Sequence, residues 1–216
     1  MIRLPIAVAA CVLLWGCGDG APVQNKAPAP VNKVAETPKA APLGDIVRVR
    51  LETELGAITL ELDHQHAPIT TANFVRYVDE HRLDGAAFYR SARTRGAPGR
   101  GFIQGGIRRT ASRLLPAIPH EPTSQTGLRH VAGAISMAQN EPGQATAEFF
   151  ITANAMPGLD ARRGEPGFAA FGRVTEGMDV VRRILAAETV PNVGSPALRG
   201  QMIRAPIGIT RAVRVE

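Results

Sequence analysis

Between Val47 and Leu62 the chain alternates apolar and polar residues twice. Val47, Val49 and Leu51 are separated by Arg48 and Arg50, and after Glu54-Leu55-Gly56 the pattern resumes with Ile58, Leu60 and Leu62. A period of two sends successive side chains to opposite faces, so this stretch predicts a half-buried β-hairpin turning at 54–56. Six further segments read as strands, at 87–90, 102–104, 134–138, 149–152, 169–174 and 207–215. Two helical patterns interrupt them. One follows Pro68, with Thr70 or Thr71 as its cap and Phe74, Tyr77 and Val78 on its apolar face; the other spans 177–185 and is expected to bury Met178, Val181 and Leu185. So many short strands, joined through 22 Gly and 17 Pro, leave exposed edges unless the sheet closes on itself. The pattern therefore predicts a mainly β protein, a closed barrel capped by two α-helices.

The residues before Asp45 read differently. Arg3 followed by an apolar run at 6–15, too short to span a bilayer, is the pattern of an export signal covering residues 1–16. Leu14-Trp15-Gly16-Cys17 resembles the bacterial lipobox, in which a small residue precedes the cysteine that receives lipid, and Cys17 is the expected lipidation site. Two other readings stand beside this one: Cys17 belongs to a discarded signal, or it pairs with Cys11. Cleavage before Cys17 would leave the domain beyond it with no cysteine, which excludes disulfides and thiol catalysis there. Residues 17–44 then form a lipidated cysteine and a Pro/Ala-rich tether without a core-forming pattern, and 45–216 form one globular domain. The expected setting is periplasmic, with a lipid anchor in a bacterial membrane. Gly18 after the cysteine points to the outer one.

Net charge is +6, and seven arginines (Arg90, Arg93, Arg95, Arg100, Arg108, Arg109 and Arg113) fall between Gly85 and His120 with no acidic residue among them. Such a patch can attract anionic lipid head groups or acidic polypeptide segments, although a solvated loop is the simpler reading for each of them except Arg90. Nucleic acid is not an expected partner for an exported chain. His64-Gln65-His66 lacks a third His, a Cys or clustered carboxylates to complete a metal site, so no metal is expected. His120 and His130 read as loop braces. Ser91, Ser112, Ser124 and Ser136 show no triad spacing, and no glycine-rich stretch links a strand to a helix, which argues against hydrolase and nucleotide-binding chemistry.

Phe88-Tyr89-Arg90, Ile103-Gln104-Gly105-Gly106, Gly133-Ala134-Ile135-Ser136-Met137-Ala138, Ala147-Glu148-Phe149-Phe150-Ile151, Leu159-Asp160 and Phe171-Gly172-Arg173-Val174 resemble, in order and spacing, the signature blocks of the cyclophilins, a family of peptidyl-prolyl cis-trans isomerases. The resemblance runs from about Val47 to Ile184. It implies an eight-stranded closed antiparallel barrel with two capping helices, a substrate groove on one outer face, no cofactor, a monomeric state, and proline-containing extended or unfolded polypeptides as partners. It also implies roles. Arg90 matches the family's essential arginine, Gln104 the glutamine that bonds the substrate backbone, and Phe150 the floor of the proline pocket. Ala138, Gln139 and Leu159 match the pocket wall, and Glu148 is expected beside Arg90, orienting it.

The match is imperfect. A longer stretch at 91–101 replaces the family's usual segment and is expected to be a loop, with Phe102 and Ile103 taking the two apolar pocket positions. Phe168 stands where a histidine is common. The activity implied needs no nucleophile, because an X-Pro bond rotates once amide resonance is lost and only the twisted state must be bound better than the planar ones. A reading from another class is a membrane-tethered holdase or adaptor that binds Pro-containing segments with little turnover.

Overall fold

The computed structural model describes residues 43–108 and 110–216; the segment expected to be a signal, Cys17 and nearly all of the expected tether lie outside the described residues. The alternating hairpin forms as expected, with β1 (Ile46–Thr53) and β2 (Gly56–Asp63) in register from Ile46 opposite Asp63 to Thr53 opposite Gly56. The remaining strands are β3 (Ala86–Thr94), β4 (Ala97–Gly106), β5 (Ala134–Met137), β6 (Phe149–Thr152), β7 (Ala170–Glu176), the two-residue β8 (Thr189–Val190) and β9 (Met202–Val215). Neighbours run β1-β2-β7-β5-β6-β4-β3-β9, and β9 returns to pair with β1, so eight antiparallel strands close a barrel. The short β8 lies alongside the start of β9. The barrel interior is filled by side chains, among them Val49, Leu51, Leu60, Phe88, Ile135 and Phe171, all fully buried. Phe74 packs edge-on to Phe149 at 5.3 Å and against Phe171 at the same distance, tying α1 (Pro68–Asp79) to the core.

The start of α1 differs from expectation. Neither Thr70 nor Thr71 caps it. Pro68 opens the helix, and the buried carboxylate of Glu121 accepts hydrogen bonds from the backbone N–H of Ile69 (3.1 Å) and Thr70 (2.7 Å) and from the Thr70 hydroxyl (2.6 Å). An acid supplied 51 residues downstream thus satisfies donors that a helix start leaves open and faces its positive end. A one-turn helix, α2 (Thr123–Thr126), follows and had no periodic signature. The second capping helix, α3 (Met178–Ala186), buries Val180, Val181, Ile184 and Leu185, while Met178 is only partly covered because it sits at the first position.

The stretch at 91–101 is not a loop. β3 and β4 extend through it as a hairpin with Thr94 opposite Ala97 and only Arg95-Gly96 in the turn. Gly96 supplies a positive φ of 75°, as a tight turn requires. Between the pairs Thr94–Ala97 and Arg93–Gly101, residues 98–100 bulge out unpaired. Pro98 has no N–H to give a ladder, which accounts for the break.

Candidate functional site

The outer face of β3, β4 and β6 carries a groove of about 530 Å³. How Tyr89 and Arg90 both reach it follows from a local irregularity. Phe88 pairs with Gly105 and Ile207, but Arg90 pairs with Gln104 and Met202, so the register slips at Tyr89 against both neighbouring strands. Such a bulge breaks strict alternation, letting Tyr89 and Arg90 both line the groove while Phe88 stays in the core.

Alternation on β4 is regular and sorts the two expected apolar contacts. Phe102 and Gln104 line the groove, whereas Ile103 between them is fully buried in the barrel core and is not part of it. Phe150 forms an aromatic pit: Phe102 lies tilted against it at 5.1 Å, Phe168 edge-on at 5.4 Å, and His130 stacks on it at 5.7 Å. Ala138, Gln139 and Leu159 complete the wall as expected, and Phe168 is held by its N–H to the Leu159 carbonyl at 3.0 Å.

Arg90 is held by partners other than the expected Glu148. Its Nε donates to Gln201 Oε1 at 2.9 Å, an Nη donates to Gln104 Oε1 at 2.8 Å, and its guanidinium carbon stands 5.0 Å from the Phe102 ring centre. Because arginine has only donors, Gln104 must turn its oxygen to Arg90 and its amide to the Tyr89 hydroxyl, 2.7 Å away. The hydroxyl then has its own proton for the Glu148 carboxylate. Glu148 sits one link too far along this relay to touch Arg90.

Burial draws the Arg90 guanidinium down from its ordinary value, yet that value lies so high that it stays charged. Burial pushes the Glu148 carboxyl up, opposed by the Tyr89 hydrogen bond and the nearby Arg108. The Tyr89 phenol is pushed up by burial and by Glu148, so it remains a donor. Arg108 lies over the Tyr89 ring at 4.5 Å.

Two parts of the site were not legible beforehand. The connection after β8 brings Val193, Gly194 and Leu198 over the groove, and Gln201 closes it against Arg90; residues 191–201 have no periodicity that would announce this. Behind Phe150, His130 Nδ1 lies 2.7 Å from Asp160 and its Nε2 3.0 Å from Ser136 Oγ. His130 thus links Ser136, six positions on, to Asp160, 30 positions on, in a serine, histidine and aspartate chain. Ser136 is fully buried, so the chain braces the aromatic pit and offers no nucleophile to solvent. His120, the other expected brace, lies 2.9 Å from the Gln139 amide. Among the described residues no three His, Cys, Asp or Glu side chains gather as a metal site.

Residues 48–206 match the family model described as cyclophilin type peptidyl-prolyl cis-trans isomerase/CLD. A peptidyl-prolyl cis-trans isomerase of Acinetobacter baylyi is 34% identical over 142 residues, covering 65% of this chain and 73% of the relative. Peptidyl-prolyl cis-trans isomerase A of Dickeya dadantii is 37% identical over 147 residues, 68% of this chain and 74% of the relative. A crystal structure of a Cryptosporidium parvum cyclophilin type peptidyl-prolyl cis-trans isomerase shares the fold, with a TM-score of 0.61 at 19% identity over 79% of this chain and 98% of the other. A second crystal structure of that protein, in the presence of the dipeptide Ala-Pro, gives 0.60 over 78% and 99%.

Proposed function

The chain belongs to the cyclophilin-type peptidyl-prolyl cis-trans isomerase family, and on that premise we propose that it accelerates X-Pro rotation by binding the twisted peptide bond through Arg90. As the bond twists, the prolyl nitrogen loses conjugation and becomes a hydrogen-bond acceptor. A guanidinium above the ring then gains a contact that neither planar isomer offers, which is the condition for lowering the barrier. The observation that carries this reading is the tethering of Arg90. Of the five N–H groups that a guanidinium holds, two are committed to Gln201 and Gln104, and the other three are available to substrate. Donors fixed beforehand cost no reorganisation when the charge distribution changes.

Phe150, Phe102, Phe168 and Leu159 would hold the prolyl ring and exclude water, and the second amide hydrogen of Gln104 would bind a substrate carbonyl. Ala138 and Gln139 would border the extended chain. Exchange spectroscopy on a short X-Pro peptide, with affinity measured by titration of the same peptide, tests the proposal. Accelerated exchange supports it; binding without acceleration favours the holdase.

We further propose that the protein is exported and lipid-anchored at Cys17, facing the periplasm from the outer membrane, and that it acts there as a monomer on proline-containing segments of other exported chains. The apolar run at 6–15, the lipobox-like Leu14-Trp15-Gly16-Cys17 and the Pro/Ala-rich stretch at 17–44 support this setting.

A further inference from the structure

The proline groove does not end at Leu159. On the far side of that residue a second cleft of about 470 Å³ opens, bounded by Thr94, Ala97 and Arg100 of the extended hairpin and by Asn154, Met156 and Leu159 opposite. Leu159 is a wall of both. We propose that this cleft is a subsite for an acidic side chain of the substrate polypeptide, lying on the Leu159 side of the prolyl residue. The proposal rests on the isomerase reading of the groove.

Three observations lead to it. The first is the bulge, which takes residues 98–100 out of the ladder between Thr94–Ala97 and Arg93–Gly101 and leaves Arg100 on the cleft wall. The second is that the walls are fixed. The Gly101 N–H donates to Asn154 Oδ1 at 2.7 Å, the Gly101 carbonyl accepts from Ala153 N–H at 2.8 Å, and the Met156 N–H is held by the His130 carbonyl at 2.7 Å. At Gly101 any side chain would strike the Ala92 carbonyl at 2.0 Å, so the bulge is anchored at a position only glycine can fill. The third is charge. No carboxylate lines the cleft. Arg93 is taken up by the Ala187 carbonyl and the Thr189 hydroxyl, while among the described residues neither Arg95 at the turn nor Arg100 pairs with an acid. An unpaired guanidinium on the cleft wall, with a second unpaired arginine at the adjoining turn and a groove for extended peptide alongside, matches an anion carried by the same peptide.

The test uses a neutral Ala-Pro peptide with Glu or Lys placed singly at each of three positions before and after the pair. Both kcat/KM by exchange spectroscopy and Kd by titration are measured, at low and high salt. Because the contact is exposed, the expected preference for Glu over Lys is about threefold to fivefold at low salt, on one side of the proline only, and it fades at high salt. Arg100→Glu should invert the preference and leave the neutral peptide unchanged. Equal handling of Glu and Lys at every position, or a preference that Arg100→Glu does not alter, overturns the proposal. So does binding of the full chain to phosphatidylglycerol vesicles that Arg100→Glu abolishes while peptide preference is absent, since the patch would then serve a lipid surface. Failure of the isomerase reading is separately visible: no peptide would be accelerated, and Kd alone would still report the charge preference.

Discussion

Arg90 and Gln201 are 111 positions apart in sequence, and Arg90 Nε donates to Gln201 Oε1 at 2.9 Å. The glutamine is tied on its other side, its amide donating to the Ala197 carbonyl at 3.0 Å and its backbone carbonyl accepting from Ser91 N–H at 2.8 Å. It therefore fixes the arginine to the loop that crosses the groove. Gln201→Ala should lower kcat about tenfold, the scale of one hydrogen bond to a charged group, with KM nearly unchanged. Gln201→Glu keeps the acceptor and should restore most of the loss. A purely structural role predicts instead a lower melting temperature with intact kcat.

Arg90 itself should matter more. Arg90→Ala should lower kcat/KM by roughly 2.7 to 4 kcal/mol, about a hundredfold to a thousandfold, the range for removing a donor used in the transition state. Lysine should not rescue it, because a flexible point charge lacks the planar fork that serves Gln201, Gln104 and substrate together. Peptide affinity should survive in Arg90→Ala, since Phe150 and Leu159 supply the ground-state contacts. Full activity in the alanine variant would refute the mechanism.

The Glu148 carboxyl gives a pH dependence of known sign. Burial holds its folded value above the ordinary 4.5, so its contribution to stability is complete below the ordinary carboxyl range and is lost as pH rises through the raised value. Glu148→Gln keeps an acceptor for the Tyr89 hydroxyl and removes the charge. Thermal melts across pH 3 to 8 should show the variant gaining on the parent as pH rises and matching it at the acid end. A constant offset at every pH would contradict the assignment.

Membrane attachment should depend on one sulfur. Cys17→Ala should move the protein from the membrane fraction to the soluble periplasm and abolish fatty-acid labelling, while Cys11→Ala leaves both in place. Unchanged fractionation in Cys17→Ala would dispose of the lipid anchor.

The architecture was readable because its determinants are local. Period-two alternation at 47–62 and turn chemistry specify strands, and eight strands without edges specify closure. Phe150 and Gln104 were readable through their motif blocks. What escaped depends on distant partners or on exceptions to alternation. Gln201 and Glu121 act on residues 111 and 51 positions away. Ile103 is a different case, since β4 alternates regularly and two consecutive residues, Phe102 and Ile103, were both assigned to the groove; with Phe102 and Gln104 facing it, Ile103 turns into the core. The stretch at 91–101 read as a loop because glycine and proline mark breaks in a ladder as readily as its end.

The pairing of β1 with β9 joins Arg48 to Val215, and that seam bears on how the chain acquires its structure. The contacts that close the barrel are the longest-range ones available to it, so loop-closure entropy must be overcome before they form, and a high contact order slows folding. During synthesis the seam cannot form until the last strand has emerged. A chain cut before Met202 would lose the partner of both β1 and β3 and present two open strand edges, the templates for intermolecular pairing. Completion of the fourteen residues of β9 is thus the step that converts an aggregation-prone sheet into a closed one.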